Sequence, residues 1–375
     1  MQRDRPAAGR QCWALWRYLF ATMSEALQEL GLVPFFTQQI ADTSLLENRL
    51  GRVTSVQRSK VNVICNGGER SVELTRTLQQ AAPVDRPTVG DWIVLDETLK
   101  KIDRVLERKS LFKRIGAGSV PAIQPIAANI DTLFIVTSCN EEFKESRLER
   151  YLSLCNEAGA MPVIVLTKSD LTDDADTYIM RARGVQAGVP VEAVNALDPT
   201  SLEGVRAWID ENSTVALVGS SGVGKSTLLN ALAENFLAAT REIREQDKKG
   251  RHTTTYRELH QLPSNGLLIN VPSMRELRVT EIDHSLGIVF EDIELLAMRC
   301  QFADCKHVTE PGCAVLKGIE ENIIDERRLV SYQKLRRENA LATATLSEKR
   351  ARERGFGKIV KEAKLFKQRR GIENP

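Results

Sequence analysis

The pattern of hydrophobic and polar positions changes twice along the chain. Across residues 52–107, short runs of β-branched and aromatic residues alternate with turn residues such as Asn66-Gly67-Gly68. The pattern predicts five short strands. Five strands in so short a segment fit a small barrel of the oligonucleotide-binding (OB) type, although the pattern leaves another small β-barrel open.

Longer apolar runs follow the barrel segment, at residues 133–136, 163–166, 215–218 and 267–269. Uninterrupted apolar runs are typical of strands buried on both faces of a parallel sheet. Between the runs, apolar residues recur at helical spacing, as at Leu148, Tyr151 and Leu152. Alternating strands and helices predict an α/β doubly wound domain. After residue 281 the pattern becomes helical and polar.

These changes predict a multidomain chain, as expected for 375 residues. The predicted parts are an extension (1–22), a helical lead-in (23–48), an OB-type barrel (49–110), a linker (111–128), an α/β domain (129–280), a mainly helical domain (281–348) and a basic tail (349–375). The extension faintly resembles a secretory signal, but Arg17 interrupts its apolar run and no convincing cleavage site follows. A disordered extension is the preferred interpretation.

Composition narrows the class of protein. Hydrophobic residues make up 42% and charged residues 27% of the chain, and the net charge is +2, as in soluble globular proteins. No apolar run approaches the roughly 18 residues of a membrane-spanning helix. The seven cysteines are odd in number, which favours a reducing compartment over a disulfide framework. We therefore expect a cytoplasmic protein without a membrane partner, and a monomer.

The strongest motif lies between the strand predicted at 215–218 and a helix predicted at 227–233. It matches the Walker A pattern in Gly219, Ser220, Ser221, Gly222, Val223, Gly224, Lys225 and Ser226, with Thr227 opening the helix. Glycines let backbone N–H groups turn toward phosphate oxygens, and a helix N-terminus favours anions. Lys225 is expected to reach the β- and γ-phosphates, and Ser226 to ligate Mg²⁺. A purely structural glycine turn is the alternative.

A second motif follows the strand predicted at 163–166. Its residues Thr167, Lys168, Ser169 and Asp170 match the guanine-reading sequence of GTPases. The carboxylate of Asp170 can accept two hydrogen bonds from guanine, and adenine offers no such donor pair. Taken alone, the tetrapeptide could equally be a helix cap. Asn195 and Ala196 would form the loop beside the base.

The order of these motifs is unusual. In ordinary GTPases the phosphate loop comes first, whereas here the guanine motif precedes it. A threonine-rich segment at 250–255 and a segment at 270–273 follow the phosphate loop and resemble switch regions. This is the order of a circularly permuted GTPase, in which each motif still lies at the carboxyl end of its own strand.

A cysteine-rich cluster lies in the helical domain. Cys300, Cys305, His307 and Cys313 supply three thiolates and one imidazole within 14 residues. Four such ligands predict a closed, structural Zn²⁺ site. The alternative is three buried cysteines with an incidental histidine.

With these motifs in place, the chain resembles the small ribosomal subunit biogenesis GTPases of the RsgA type. The resemblance also rests on Gly90-Asp91-Trp92, on residues 126–131 and on Arg275-Glu276-Leu277. It implies an OB barrel, a circularly permuted G domain that binds GTP or GDP with Mg²⁺, and a zinc domain. It further implies binding to the small ribosomal subunit and its rRNA, with GTP hydrolysis stimulated by that particle.

The basic tail has two interpretations. Residues 349–370 hold ten Lys or Arg against two Glu. Such a run is commonly a solvated helix, but beside a barrel and a zinc module we favour contact with an RNA backbone.

The sequence departs from the family pattern at the third nucleotide motif. Asp-x-Pro-Gly is replaced by Asn270-Val271-Pro272-Ser273, so a carboxylate near Mg²⁺ and a flexible glycine are lost. The usual catalytic glutamine position holds Met274, and the resemblance implies that His252 orients the attacking water instead. Thr253 and Thr254 are the candidates for a switch-loop contact to Mg²⁺. The alternative function is therefore a nucleotide-gated RNA-binding factor with negligible hydrolysis.

Overall fold

The computed structural model describes residues 25–40, 48–57, 60–115, 123–235, 237, 257–271 and 282–343. The predicted extension (1–22) and basic tail (349–375) lie outside these ranges. Within them, no helix is both long enough and apolar enough to span a bilayer.

The N-terminal part is a closed five-stranded barrel preceded by two short helices. Its elements are α1 (Glu25–Glu29), α2 (Pro34–Thr37), β1 (Leu50–Val56), β2 (Val61–Cys65), β3 (Gly68–Leu74), α3 (Arg76–Gln80), β4 (Trp92–Leu95) and β5 (Lys101–Val105). Strand β1 pairs with both β2 and β4, which closes the order β1-β2-β3-β5-β4. Val53, Val63 and Ile93 fill the interior with no exposed surface. The predicted barrel is confirmed, and its form fits the OB fold.

The segment expected to be a linker contains a β-hairpin. Strands β6 (Leu111–Ile115) and β7 (Ile123–Ala128) pair antiparallel as a separate two-stranded sheet. Gly90 lies in the left-handed region, and a Cβ there would lie 2.1 Å from the carbonyl oxygen of Ala128. Only glycine permits this approach, which brings the barrel against β7.

The central part is the α/β domain. Its strands are β8 (Thr132–Ser138), β9 (Met161–Thr167), β10 (Val191–Val194), β11 (Thr214–Gly219), β12 (Glu258–Gln261) and β13 (Leu267–Asn270). Its helices are α4 (Glu145–Ala158), α5 (Ala175–Arg183), α6 (Glu203–Arg206) and α7 (Lys225–Ala233). The order is β10-β9-β8-β11-β13-β12, parallel except for β12. The four apolar runs form β8, β9, β11 and β13, as predicted.

One pairing joins the barrel to the α/β sheet. Strand β1 runs antiparallel to β12, with Ser55 opposite Glu258. The barrel and the α/β strands therefore form one continuous 11-stranded sheet.

A buried arginine lies at this junction. Arg52 is 1% exposed, and its guanidinium donates hydrogen bonds to the carbonyl oxygens of Leu30, Gly90 and Asn129 and, at 2.7 Å, to the hydroxyl of Thr214. Burial lowers the pKa of Arg52 to about 10, so the side chain remains charged at neutral pH. One side chain thus ties together the N-terminal helices, the barrel and strand β11.

We expect Arg52→Ala to lower the free energy of unfolding by about 3 kcal/mol, because several buried acceptors would lose their donor. Chemical denaturation followed by circular dichroism measures the change. The control Arg70→Ala removes an exposed arginine of the same barrel. Its free energy of unfolding should stay within about 0.5 kcal/mol of the wild-type value. Equal effects of the two substitutions would contradict the role assigned to Arg52.

The C-terminal part is helical and packs on α4. It comprises α8 (Asp283–Val289), α9 (Glu291–Ala297), α10 (Ala314–Glu320) and α11 (Glu326–Thr343). Glu149 of α4 has no exposed surface and forms ion pairs with Arg327 at 3.1 Å and Arg328 at 3.3 Å. Arg150 donates two hydrogen bonds to the carboxylate of Glu338. These contacts fix α4 against the C-terminal helices.

Candidate nucleotide and metal sites

The predicted nucleotide motifs meet at one edge of the parallel sheet. The guanine motif begins at Thr167, the last residue of β9, and the phosphate loop begins at Gly219, the last residue of β11. Asn270 ends β13, which pairs directly with β11. Ligands of open α/β sheets bind at the carboxyl edge of the strands, and this edge carries the first two motifs and Asn270, the first residue of the third.

The shape of the phosphate loop depends on its glycines. Gly219 has a φ of 151°, and a Cβ there would lie 2.2 Å from the carbonyl oxygen of Val136. Gly224 has a φ of 90°, with Thr167 Oγ1 only 3.1 Å from the position of a Cβ. A side chain at either position would force the loop away from the neighbouring strands. Helix α7 starts immediately afterwards, at Lys225.

The lysine of the loop folds back over its own backbone. Lys225 Nζ donates a hydrogen bond to the carbonyl oxygen of Gly219 at 2.8 Å and another to that of Ser220. Its charge therefore lies at the start of the loop. Ser226 and Thr227 lie in the first turn of α7 and are half-buried.

The guanine motif contacts the phosphate loop through two of its side chains. Thr167 Oγ1 hydrogen-bonds the carbonyl oxygen of Val223, and Lys168 Nζ donates to that of Gly222 at 2.9 Å. Lys168 takes a left-handed backbone conformation, with a φ of 58°. The two motifs are far apart in sequence and adjacent in space.

Asp170 lies in the short 3₁₀ turn Ser169–Leu171 and is exposed. Its charge reaches Cys139, which directly follows β8. Burial, together with the negative charge of Asp170, raises the pKa of Cys139 to about 11. An exposed carboxylate beside the phosphate loop can accept hydrogen bonds from an incoming base.

The loop that follows β10 is shaped by its asparagine. Asn195 Oδ1 accepts a hydrogen bond from the backbone N–H of Leu197 at 2.9 Å, and the N–H of Asn195 donates to the hydroxyl of Ser201 at 2.9 Å. The side chain of Asn195 thus stabilises a local turn, which places Ala196 within the loop.

Four predicted site residues lie outside the described part of the chain, namely His252, Thr253, Thr254 and Ser273. Their roles remain predictions. Asn270 is described and half-buried, opposite Leu217 of β11 in the parallel register.

Tyr151 is a site neighbour that the sequence pattern did not reveal. Helical spacing placed it only on the apolar face of a helix. In the structure Tyr151 is buried, which raises the pKa of its hydroxyl, and Arg147 and the side chain of Ser220 in the phosphate loop oppose that rise. A tyrosine on an otherwise aliphatic helix face was the available signal, because a buried phenol hydroxyl generally needs a polar partner.

The predicted zinc ligands converge. The ligand atoms of Cys300, Cys305, His307 and Cys313 all lie within 4.8 Å of one another. His307 Nδ1 lies 3.7 Å from Cys300 Sγ and 3.4 Å from Cys313 Sγ, and the two sulfurs are 3.9 Å apart. Tetrahedral Zn²⁺ with ordinary bond lengths requires edges of about 3.6–3.8 Å. The cluster is therefore compatible with zinc.

The electrostatics of the cluster fit a cation at its centre. Burial and the neighbouring sulfurs of Cys313 and Cys300 raise the pKa of Cys305 to about 11, because crowded thiolates repel one another. Burial lowers the pKa of His307, so its imidazole is neutral at pH 7. Metal ligation requires thiolates, so a bound Zn²⁺ would displace the thiol protons and offset this repulsion.

Similarity to known proteins decides the family. The chain is 44% identical over 347 residues to the small ribosomal subunit biogenesis GTPase RsgA 2 of Vibrio parahaemolyticus, covering 92% of this chain and 95% of the relative. It belongs to the RsgA GTPase family. The sequence profile of RsgA GTPases matches residues 105–280, which span the hairpin, the α/β strands and both nucleotide motifs.

Solved structures agree with the RsgA assignment. YjeQ from Thermotoga maritima superposes with a TM-score of 0.55 at 25% identity, covering 77% of this chain and 97% of that one. YloQ, described as a circularly permuted GTPase, gives a TM-score of 0.54 at 21% identity and covers 82% and 100%. The latter likeness concerns the fold alone. The order of its motifs along the chain makes this protein a circularly permuted GTPase.

Proposed function

We propose that this protein hydrolyses GTP in the biogenesis of the small ribosomal subunit, the process named for its RsgA relatives. The contact between the guanine motif and the phosphate loop is the main support. Thr167 and Lys168 both reach loop carbonyls, which leaves Asp170 and Lys225 flanking one edge of the sheet. A site with a base-reading carboxylate at one end and a phosphate-binding lysine at the other suits a guanosine phosphate.

Each residue has a distinct role toward the nucleotide. Asp170 accepts hydrogen bonds from guanine, and the loop of Asn195 and Ala196 borders the base. Residues 219–227 surround the phosphates, with Lys225 balancing their negative charge. The Ser226 hydroxyl holds Mg²⁺, together with Thr253 or Thr254. When bound, Mg²⁺ neutralises charge that develops on the phosphate oxygens.

Hydrolysis also requires a positioned water. We assign that task to His252, because the glutamine position of other GTPases holds Met274. Asn270 and Ser273 occupy the third motif, where Asn270 can accept a hydrogen bond from a metal-bound water. The loss of the carboxylate predicts slow intrinsic turnover, since partners that orient metal ligands typically contribute about 10- to 100-fold.

The C-terminal cluster fits one structural Zn²⁺, held by Cys300, Cys305, His307 and Cys313. The short helices around it bury few apolar side chains of their own, so the metal would supply folding free energy to this domain.

RNA contact is assigned to the barrel, the zinc domain and the basic tail (349–375). The barrel offers exposed cations on neighbouring strands, Arg70 on β3 and Lys101 and Arg104 on β5. Such cations bind phosphate backbones without regard to sequence. We propose that the protein acts as a cytoplasmic monomer on the rRNA of the small subunit.

The alternative is a nucleotide-gated RNA-binding factor with negligible hydrolysis. It is motivated by Asn270 and Ser273. The names of the relatives favour the hydrolysing GTPase instead.

Phosphate release tests the proposal. We expect slow release from GTP alone and a rise on the order of 10- to 100-fold with purified small ribosomal subunits, below the roughly 10³-fold that an added arginine supplies to other GTPases. Large subunits serve as the matched particle control and Lys225→Ala as the inactive enzyme. Release at background level with and without small subunits would refute the proposed activity.

A further inference from the structure

A carboxylate in the metal loop, residues 305–313, holds the backbone around His307. Glu310 Oε1 accepts a hydrogen bond from the N–H of Lys306 at 3.0 Å. Glu310 Oε2 accepts two more from the residues after His307, at 2.8 Å from the N–H of Val308 and at 3.1 Å from the next N–H. One side chain therefore binds the amides on both sides of a predicted zinc ligand.

The side chains of this loop do not explain its conformation. His307 has a φ of 58°, in the left-handed region that residues with a Cβ rarely adopt. Among residues 306–309 only His307 is buried, so apolar packing contributes little to holding the loop. An unfavourable backbone conformation persists only where the surrounding structure imposes it. The hydrogen bonds to Glu310 supply that restraint.

The carbonyl groups of the loop are held from helix α11. Gln333 Nε2 donates a hydrogen bond to the carbonyl oxygen of His307 at 3.0 Å and another to that of Lys306 at 3.3 Å. Glu310 thus accepts from the loop amides, while Gln333 donates to the loop carbonyls. Hydrogen bonds to a charged acceptor are the stronger kind. The backbone position of His307 therefore depends chiefly on Glu310.

This backbone position fixes the imidazole among the sulfurs. His307 is 4% exposed, and its Nδ1 lies 3.4 Å from Cys313 Sγ and 3.7 Å from Cys300 Sγ. Metal–ligand distances vary by only about 0.2 Å in well-formed sites, so a small shift of the loop would withdraw the nitrogen from the metal. Groups that orient metal ligands typically contribute about 10- to 100-fold to metal affinity.

We propose that Glu310 is a positioning residue for Zn²⁺: by binding the amides on both sides of His307, it keeps the imidazole in place for the metal. The inference rests on the zinc site of the proposed function. Both carboxylate oxygens of Glu310 accept from backbone amides, so we assign this residue no bond to the metal. A loop organised before binding loses less conformational entropy when Zn²⁺ is bound.

Competition with a chromophoric chelator tests the proposal. The Kd for Zn²⁺ is measured at one pH for the full chain as wild type, Glu310→Gln and Glu310→Ala. We expect Glu310→Ala to raise the Kd about 10- to 100-fold. Glu310→Gln keeps one acceptor oxygen but places an amide donor against the loop, so its Kd should lie between the other two. At saturating Zn²⁺ both variants should show the wild-type circular dichroism spectrum, because all four ligands are intact.

A double-mutant cycle with His307 separates positioning from general stabilisation. His307→Ala leaves three thiolates, which should bind Zn²⁺ more weakly than the full site. In this background we expect Glu310→Ala to raise the Kd by less than about threefold, because the ligand that Glu310 positions has been removed.

The matched control is Asp304→Ala. It removes an exposed carboxylate of the same charge, one residue before the predicted ligand Cys305. We expect a zinc Kd within about twofold of wild type, since solvent and salt screen an exposed charge.

Four results would overturn the inference while leaving the zinc site in place. The first is a wild-type zinc Kd in Glu310→Ala, and the second is an equal loss of affinity in Asp304→Ala, which would assign the effect to charge alone. The third is a pair of effects at Glu310 and His307 that multiply in the double variant. The fourth is a Glu310→Ala protein that stays misfolded at saturating Zn²⁺, which would give Glu310 only a structural role.

A different result would refute the zinc site itself. If the wild-type chain bound no Zn²⁺, the proposed metal would be wrong, and this inference would be refuted with it.

Discussion

Replacing Asp170 by alanine should weaken GTP binding by about 100-fold or more and leave ATP affinity within about threefold of wild type. Two hydrogen bonds to a charged acceptor contribute about 1.5–3 kcal/mol each, and adenine cannot form that pair. Asp170 is exposed at the edge of the site, with Lys168 beside it bonded to the phosphate loop. The substitution therefore removes a base contact without opening the core. Titration of both nucleotides measures the change in preference.

Asp173→Ala is the matched control for this prediction. It removes an exposed carboxylate three residues along the chain and should change neither affinity. If Asp170→Ala left the preference for GTP over ATP intact, the guanine-reading role of this motif would be wrong.

Replacing Cys313 by alanine should abolish the metal site and unfold much of the C-terminal domain. The Cys313 sulfur lies 3.4 Å from His307 Nδ1 and also accepts a hydrogen bond from the N–H of Leu316 at the start of α10. Structural zinc sites contribute on the order of 10 kcal/mol to folding. We expect zinc content to fall from about one equivalent to near zero. The melting temperature of the first unfolding transition should fall by about 10 °C or more.

Elemental analysis and differential scanning calorimetry measure these two quantities. Cys65→Ala, at a buried cysteine of the barrel, is the control and should keep its zinc. A Cys313→Ala protein with full zinc content, or a wild type that folds equally well after complete chelation, would contradict a structural metal at this cluster.

Much of the fold follows from local pattern. The four continuous apolar runs predicted β8, β9, β11 and β13 because strands buried on both faces tolerate few polar residues. The short strands of the barrel were equally readable, since their turns are marked by glycine and asparagine. The hairpin of β6 and β7 was not predicted, because its glycines and prolines are typical of a linker. The pairing of its two strands is visible only in three dimensions.

Contacts between residues far apart in the chain were not predictable from the sequence. Arg52 looks like an ordinary polar position on a strand, yet it is the fully buried link between barrel and α/β sheet. Nothing local shows that its partners will be carbonyls from distant segments. Tyr151 likewise fits the apolar stripe of a helix, and only the packing of α4 in three dimensions brings it near Ser220 of the phosphate loop.

The candidate site was more predictable than its surroundings. The phosphate and guanine motifs are short segments that each follow one strand directly. The sequence alone therefore identifies Lys225 and Asp170 as site residues, without knowledge of the packing. Their juxtaposition needed one further inference, that both strands are parallel in one sheet. The register of β8 with β9 and with β11 bears this out. The switch residues His252 and Ser273 remain predictions.

The most direct test of a single shared site is a crystal structure with a non-hydrolysable GTP analogue and Mg²⁺. The measured quantity is the distance from the Asp170 carboxylate to the guanine ring N–H and amino group, with the phosphates on residues 219–226. We predict about 2.7–2.9 Å, as for hydrogen bonds to a charged acceptor. A base bound elsewhere while Lys225 holds the phosphates would contradict the account.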